Sequence, residues 1–156
     1  MDTNKKMLIK SFIPTKAFNL FKEAESSYKQ QGSFSNKILE NLYSYFGESF
    51  ADATELLEKC RIIQYTTTDS LRTVYEVSLT SLEQYLIYDN INYCPCDDFK
   101  IQVLELNNNI SCKHVLVVYL AKITSNVKVE KLNDELFSDF LNMQLNRLSE
   151  CGDISV

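Results

Sequence analysis

The sequence contains little glycine, proline or histidine and no tryptophan. Its 156 residues include three glycines, two prolines and one histidine. The three glycines stand apart, at positions 32, 47 and 152, so the chain has no P-loop and no dinucleotide-binding loop. Because 45% of the residues are apolar and 24% are charged, collagen-like and disordered chains are also excluded.

Long apolar runs are missing as well. The run from Val115 to Ala121 is the longest in the second half of the chain, and it is far shorter than the ~18 residues of a membrane span. Residues 1–20 lack the apolar core of a signal peptide. We therefore expect an intracellular protein with no membrane contact, and a length of 156 residues suits a single domain over residues 1–156.

An excess of positive charge is absent, since 16 basic residues against 21 acidic ones give a net charge of −5. Residues 99–131 are the exception, with five basic and two acidic side chains. Proteins that bind nucleic acid by themselves usually show a pronounced basic face, because neutralising phosphates supplies most of the non-specific affinity. The sequence offers at most a small patch of this kind.

The first 60 residues predict three helices. Apolar residues recur at helical spacing from about Thr15 to Gln30, after Pro14. Ser35 is a suitable N-cap for a second helix that ends at Gly47, and a third helix is predicted from Ala51 to Lys59.

The next segment predicts a small antiparallel sheet of three strands. These strands are rich in Ile, Val, Thr and Tyr and cover Arg61 to Thr66, Leu71 to Leu79 and Gln84 to Tyr88. Alternation in the middle strand predicts one buried face and one solvent-exposed face.

Helices are predicted again towards the C-terminus. A short helix over Asp97 to Leu106 is followed by an apolar helix from Cys112 to about Thr124 and a last helix from Asn133 to Glu150. The predicted fold class is therefore α+β.

The five cysteines are an odd number in a chain without a secretory signal, so a disulfide framework is not expected. Cys94, Cys96 and Cys112 lie within 19 residues, and His114 follows two positions later. We interpret Cys60 as a small core residue and Cys151 as an exposed thiol.

The spacing Cys94-x-Cys96, fifteen residues, then Cys112-x-His114 predicts one structural zinc ion. Three thiolates and one imidazole fill the tetrahedral shell of a structural zinc and leave no open position. Pro95 favours the turn that the first pair needs, and the N-terminus of a helix favours a thiolate on Cys112. The alternative is that these are buried core residues, because cysteine is often buried.

The same residues carry a family resemblance. The segments Tyr93 to Phe99 and Ser111 to Leu120 resemble the SWIM zinc finger, whose pattern is C-x-C-x(n)-C-x-H, and place the finger at about residues 84–124. With helices before the finger, a small sheet and an apolar helix after it, the chain resembles the SWIM-domain subunits of the Shu complex. Val117 stands where the family pattern often has alanine.

This resemblance implies a non-enzymatic accessory factor in homologous recombination DNA repair. It implies a nuclear protein that pairs with a recombinase-paralogue ATPase subunit and helps a strand-exchange recombinase to form filaments on single-stranded DNA. Contact with single-stranded DNA would then occur through the complex.

Two other functions were considered. Autonomous single-stranded nucleic-acid binding would use the lysines of residues 99–131, with Tyr85, Tyr88 and Tyr93 as stacking platforms, but scattered lysines are usually a solvated face. The sequence does not identify nucleic-acid-binding residues. An enzyme is not expected, because a four-ligand zinc has no site for water and His114 is the only histidine.

Overall fold

Three helices form the N-terminal part of the fold. The computed structural model describes residues 13–151, with side chains described up to residue 147. Helix α1 spans Thr15–Gln31, α2 spans Asn36–Phe46 and α3 spans Glu48–Lys59. The predicted positions of α1 and α2 are confirmed, and α3 begins three residues earlier than predicted.

Local sequence signals explain where these helices begin and end. The Ser35 side chain accepts a hydrogen bond from the backbone N–H of Ile38 at 3.3 Å, as an N-cap does. Gly47 has a φ of 62°, which a residue with a side chain adopts only with strain. Because Gly47 ends α2 and also precedes α3, the two helices follow each other without a loop.

In the described part of the chain the sheet has four strands, so the prediction of three antiparallel strands was wrong. Strands β1 (Arg61–Thr67), β2 (Thr73–Ser78) and β3 (Gln84–Tyr88) form the predicted antiparallel meander. Strand β4 (Lys128–Leu132) pairs in parallel with β1 and completes the order β3-β2-β1-β4. Three of its five residues are charged, which is common in an edge strand. Because the strand has so few apolar residues, its sequence does not show the apolar alternation that predicts a strand.

Both faces of the sheet are covered, so the predicted solvent-exposed face of β2 was also wrong. Val77 is fully buried, and on the other face Glu76 is only 6% exposed. Helix α5 (Asp134–Cys151) covers this second face, where Phe140 packs on Tyr65 with ring centroids 4.3 Å apart. The side chain of Cys151 lies outside the described residues.

A π-helical segment and a buried helix complete the fold. The helix predicted over residues 97–106 is a π-helix at Phe99–Glu105, closed by a hydrogen bond from the Leu106 N–H to the Ile101 carbonyl. Helix α4 (Lys113–Thr124) packs on α3, α1 and the first face of the sheet. None of the helices in residues 13–151 is long and apolar enough to cross a membrane.

Candidate metal centre

Two irregular loops bring the four predicted ligands together. Cys94 and Cys96 lie in the segment between β3 and the π-helix. Cys112 is the N-cap residue of α4, and His114 is the second residue of that helix. One pair of predicted ligands therefore lies in the irregular segment after β3, and the other lies at the start of α4.

The four ligand atoms of Cys94, Cys96, Cys112 and His114, here called the ligand cluster, all lie within 4.8 Å of one another. The Sγ atom of Cys94 is 3.7 Å from Nδ1 of His114, and the Sγ atom of Cys112 is 4.0 Å from the same nitrogen. Around a tetrahedral zinc, with Zn–S of about 2.3 Å and Zn–N of about 2.0–2.1 Å, a sulfur and a nitrogen would be about 3.6 Å apart. The spacing fits a metal ion of that size.

The ligand cluster is buried. The exposed fractions of its side chains lie between 1% and 5%. Such burial leaves little access for water or a substrate, as in structural metal sites.

The three thiols of the ligand cluster differ from one another in the direction of their pKa shifts. Hydrogen bonds from Cys112 and then from Cys94 lower the pKa of the Cys96 thiol. The hydrogen bonds that Cys94 makes with Cys112 and Cys96 raise the pKa of the Cys94 thiol. The protein groups alone thus favour one thiolate, because neighbouring negative charges repel. A dication would allow all three cysteines to bind as thiolates.

Backbone groups and an aromatic ring hold the ligands in place. The N–H of Phe99 donates a hydrogen bond to Sγ of Cys96 at 3.3 Å. The imidazole of His114 lies against the ring of Tyr85, with centroids 4.2 Å apart and an interplanar angle of 33°. Tyr85, considered above as a stacking platform for bases, contacts the metal site instead.

Helix α4 connects the ligand cluster to the hydrophobic core. After its two ligand positions the helix buries an almost continuous run of side chains. Val117 is 0% exposed, so the position where the family pattern often has alanine is part of this core. The N-terminus of α4 is therefore fixed by the ligands while its body is fixed by packing.

The lysines of residues 99–131 are only partly available for phosphate binding. The ammonium of Lys122 lies 2.8 Å from a carboxylate oxygen of Asp89, and that of Lys128 lies 2.7 Å from Glu130. The small basic patch suggested by the sequence is therefore partly neutralised in the fold.

Two further residues at the site were missed by the sequence analysis. Asn92 and Ser111 precede Cys94 and Cys112, respectively, and are hydrogen-bonded to each other. Neither residue type is a zinc ligand, so ligand spacing gives no signal for them.

Cys60, the other cysteine with a described side chain, lies apart from the cluster. It follows α3 and is half-buried, and burial raises the pKa of its thiol. The sequence predicted a small core residue, and Cys60 is partly buried against the core. It provides a non-ligand cysteine for comparison.

The chain is similar to proteins that carry one name in several organisms. No family model matches it, and no solved structure matches it at a significant level. It is 27% identical over 132 residues to zinc finger SWIM domain-containing protein 7 of Homo sapiens. The aligned residues cover 85% of this chain and 94% of the relative. It is 32% identical over 113 residues to the homolog of that protein in Dictyostelium discoideum, and this alignment covers 72% of each of the two chains. With its C-x-C and C-x-H pairs assembled into one buried cluster, the chain belongs to the family of zinc finger SWIM domain-containing protein 7.

Proposed function

We propose that this chain is a non-enzymatic adaptor subunit in homologous recombination DNA repair, held together by one structural zinc ion at the ligand cluster. In this proposal it acts in the nucleus as part of a Shu-type complex. It pairs there with a recombinase-paralogue ATPase and promotes recombinase filaments on single-stranded DNA. The buried four-ligand cluster, in a chain of the SWIM family, is the observation that carries the proposal.

The chemistry of the cluster supports a structural role for the metal. Three thiolates and one imidazole supply four ligands, so the shell is complete without water or substrate. The only histidine of the chain is among them and cannot serve as a general base. Since the sequence also lacks a P-loop, ATP hydrolysis is assigned to the partner.

The metal would also stabilise the position of helix α4. Zinc would fix the start of α4, and α4 packs against α1, α3 and the sheet. Structural zinc contributes on the order of 10–16 kcal/mol in finger peptides, whereas a folded domain is stable by roughly 5–15 kcal/mol. Loss of the metal is therefore expected to disrupt any partner surface that depends on α4.

A pull-down from extract of the source cells tests the proposal. The wild-type chain, with and without a zinc chelator, is compared with Cys112→Ser and with Cys60→Ser, which changes a cysteine outside the cluster. Wild type and Cys60→Ser are expected to recover a recombinase-like ATPase, identified by mass spectrometry. The chelated protein and Cys112→Ser are expected to lose it.

The same experiment addresses the alternative, an autonomous single-stranded nucleic-acid-binding zinc finger. Recovery of nucleic acid without such an ATPase would favour it over the adaptor. The ion pairs of Lys122 and Lys128 argue for the adaptor, because they reduce the positive charge of the patch.

A further inference from the structure

The two loops that carry the ligand pairs have little regular structure to hold them together. One loop connects β3 to the π-helix and the other connects the π-helix to α4. Within residues 13–151, no backbone-to-backbone hydrogen bond joins residues 89–96 to residues 107–112. The distance between the ligand pairs must therefore be set by side chains or by the metal itself.

One side chain bridges the two loops with two hydrogen bonds. The amide nitrogen Nδ2 of Asn92 donates to the backbone carbonyl of Ile110 at 2.9 Å. The hydroxyl of Ser111 donates to Oδ1 of the same amide at 2.7 Å. Ser111 is 0% exposed and Asn92 is partly buried, so the hydroxyl end of this contact lies away from water. Asn92 lies two residues before Cys94, and Ser111 lies directly before Cys112.

We propose that Asn92 and Ser111 form a clamp that positions the two ligand pairs and slows release of the metal ion. This inference rests on the zinc site of the proposed function. The two residues are positioning residues and do not touch the metal. For one pair of ligands to move away from the other, both clamp bonds must break first.

The clamp needs a side chain at position 92 that both donates and accepts a hydrogen bond. A single side chain must donate to a carbonyl and accept from a hydroxyl, and asparagine does both. Aspartate would face the Ile110 carbonyl with a second acceptor, and it would add negative charge beside the thiolates. Loss of the Asn92 side chain would leave the buried Ser111 hydroxyl and the Ile110 carbonyl without a partner. That loss would destabilise the arrangement in which the two loops lie together.

Transfer of zinc from the purified full-length chain to a chromophoric chelator tests the clamp. Ser111→Ala changes the volume of the buried side chain little, and Asn92→Ala removes both bonds. Mutating residues that orient metal ligands typically costs about 10–100-fold in metal affinity. We expect this loss to appear in each variant as zinc release about 10–100-fold faster than wild type. Because the two residues act together, the double variant should release zinc no faster than Asn92→Ala alone.

Asn126→Ala is the matched control. Asn126 also donates from Nδ2 to a distant backbone carbonyl, that of Leu57 at 3.2 Å, but the bond joins the ends of α4 and α3. This variant should release zinc at the wild-type rate even if it is less stable. With Co²⁺ in place of zinc, the clamp variants should keep the thiolate-to-metal absorption bands of wild type, because all four ligands remain.

Several results would overturn the clamp. Unchanged zinc release in Ser111→Ala and Asn92→Ala would do so, as would equal acceleration by Asn126→Ala. Independent, multiplying effects in the double variant would show that the two residues do not act together. Failure of the wild-type chain to hold zinc would instead refute the proposed zinc site, and the clamp with it.

Discussion

Replacing one ligand should destabilise the whole domain. In Cys112→Ser a thiolate ligand becomes a hydroxyl, which does not bind zinc as a structural ligand. The change falls at the N-cap of α4, whose next positions include the fully buried Val115, Leu116 and Val117. The expected damage therefore spreads from the ligand cluster into the core.

Loop closure sets a lower limit to this loss. A metal ion bound at the ligand cluster would link Cys96 to Cys112 across fifteen residues. A covalent link that closes a loop of about 15 residues stabilises a protein by about 3 kcal/mol through the entropy of the unfolded chain. For a domain of this size, 1 kcal/mol corresponds to about 2–4 °C, so Tm should fall by at least ~6–12 °C.

Thermal unfolding followed by circular dichroism measures this loss. Cys60→Ser is the matched variant, because it makes the same chemical change at a cysteine that is not a ligand. Its Tm should remain within a few degrees of wild type. If Cys112→Ser unfolds at the same temperature as Cys60→Ser, the metal does not stabilise the fold.

Three further predictions concern the core, the pH dependence and DNA. Phe137→Ala should lower the free energy of unfolding by about 3–5 kcal/mol, because this side chain of α5 is only 1% exposed. Leu136→Ala, at a 53% exposed neighbour, should change it by less than about 0.5 kcal/mol, and urea unfolding compares the two. Burial, followed by the charge of Asp89, raises the pKa of Tyr119 to about 12, whereas the unfolded value is about 10. Between these values the unfolded chain ionises first, so the free energy of unfolding falls as the pH rises. Urea unfolding at about pH 9 and about pH 11 should therefore show a smaller fall in this free energy for Tyr119→Phe than for wild type. The isolated chain should bind single-stranded DNA weakly and with strong salt dependence, and tight binding in fluorescence anisotropy at about 150 mM salt would contradict the adaptor.

Local signals in the sequence predicted most of the elements. Helices α1 and α2 follow from apolar spacing and from Ser35 and Gly47, and the three antiparallel strands follow from their β-branched and aromatic residues. The four residues of the ligand cluster were found from spacing alone, since a zinc shell demands particular side chains.

Features that depend on distant contacts could not be predicted. Strand β4 pairs with β1 across more than 60 residues, and its charged side chains suit an edge strand and a solvated loop equally well. The covered second face of the sheet depends on where α5 packs, which no alternation within β2 reveals. Asn92 is one of several asparagines in polar loops, and only the fold shows that it joins the two ligand loops.

The metal content of the purified chain decides whether a structural zinc ion holds this fold together. Native mass spectrometry, with elemental analysis of the same samples, compares wild type with Cys112→Ser, His114→Ala and Cys60→Ser. We expect one zinc ion per chain in wild type and Cys60→Ser and loss of zinc from both ligand variants. A wild-type chain that folds without zinc, or ligand variants that retain it fully, would show that zinc at the ligand cluster does not hold the fold together.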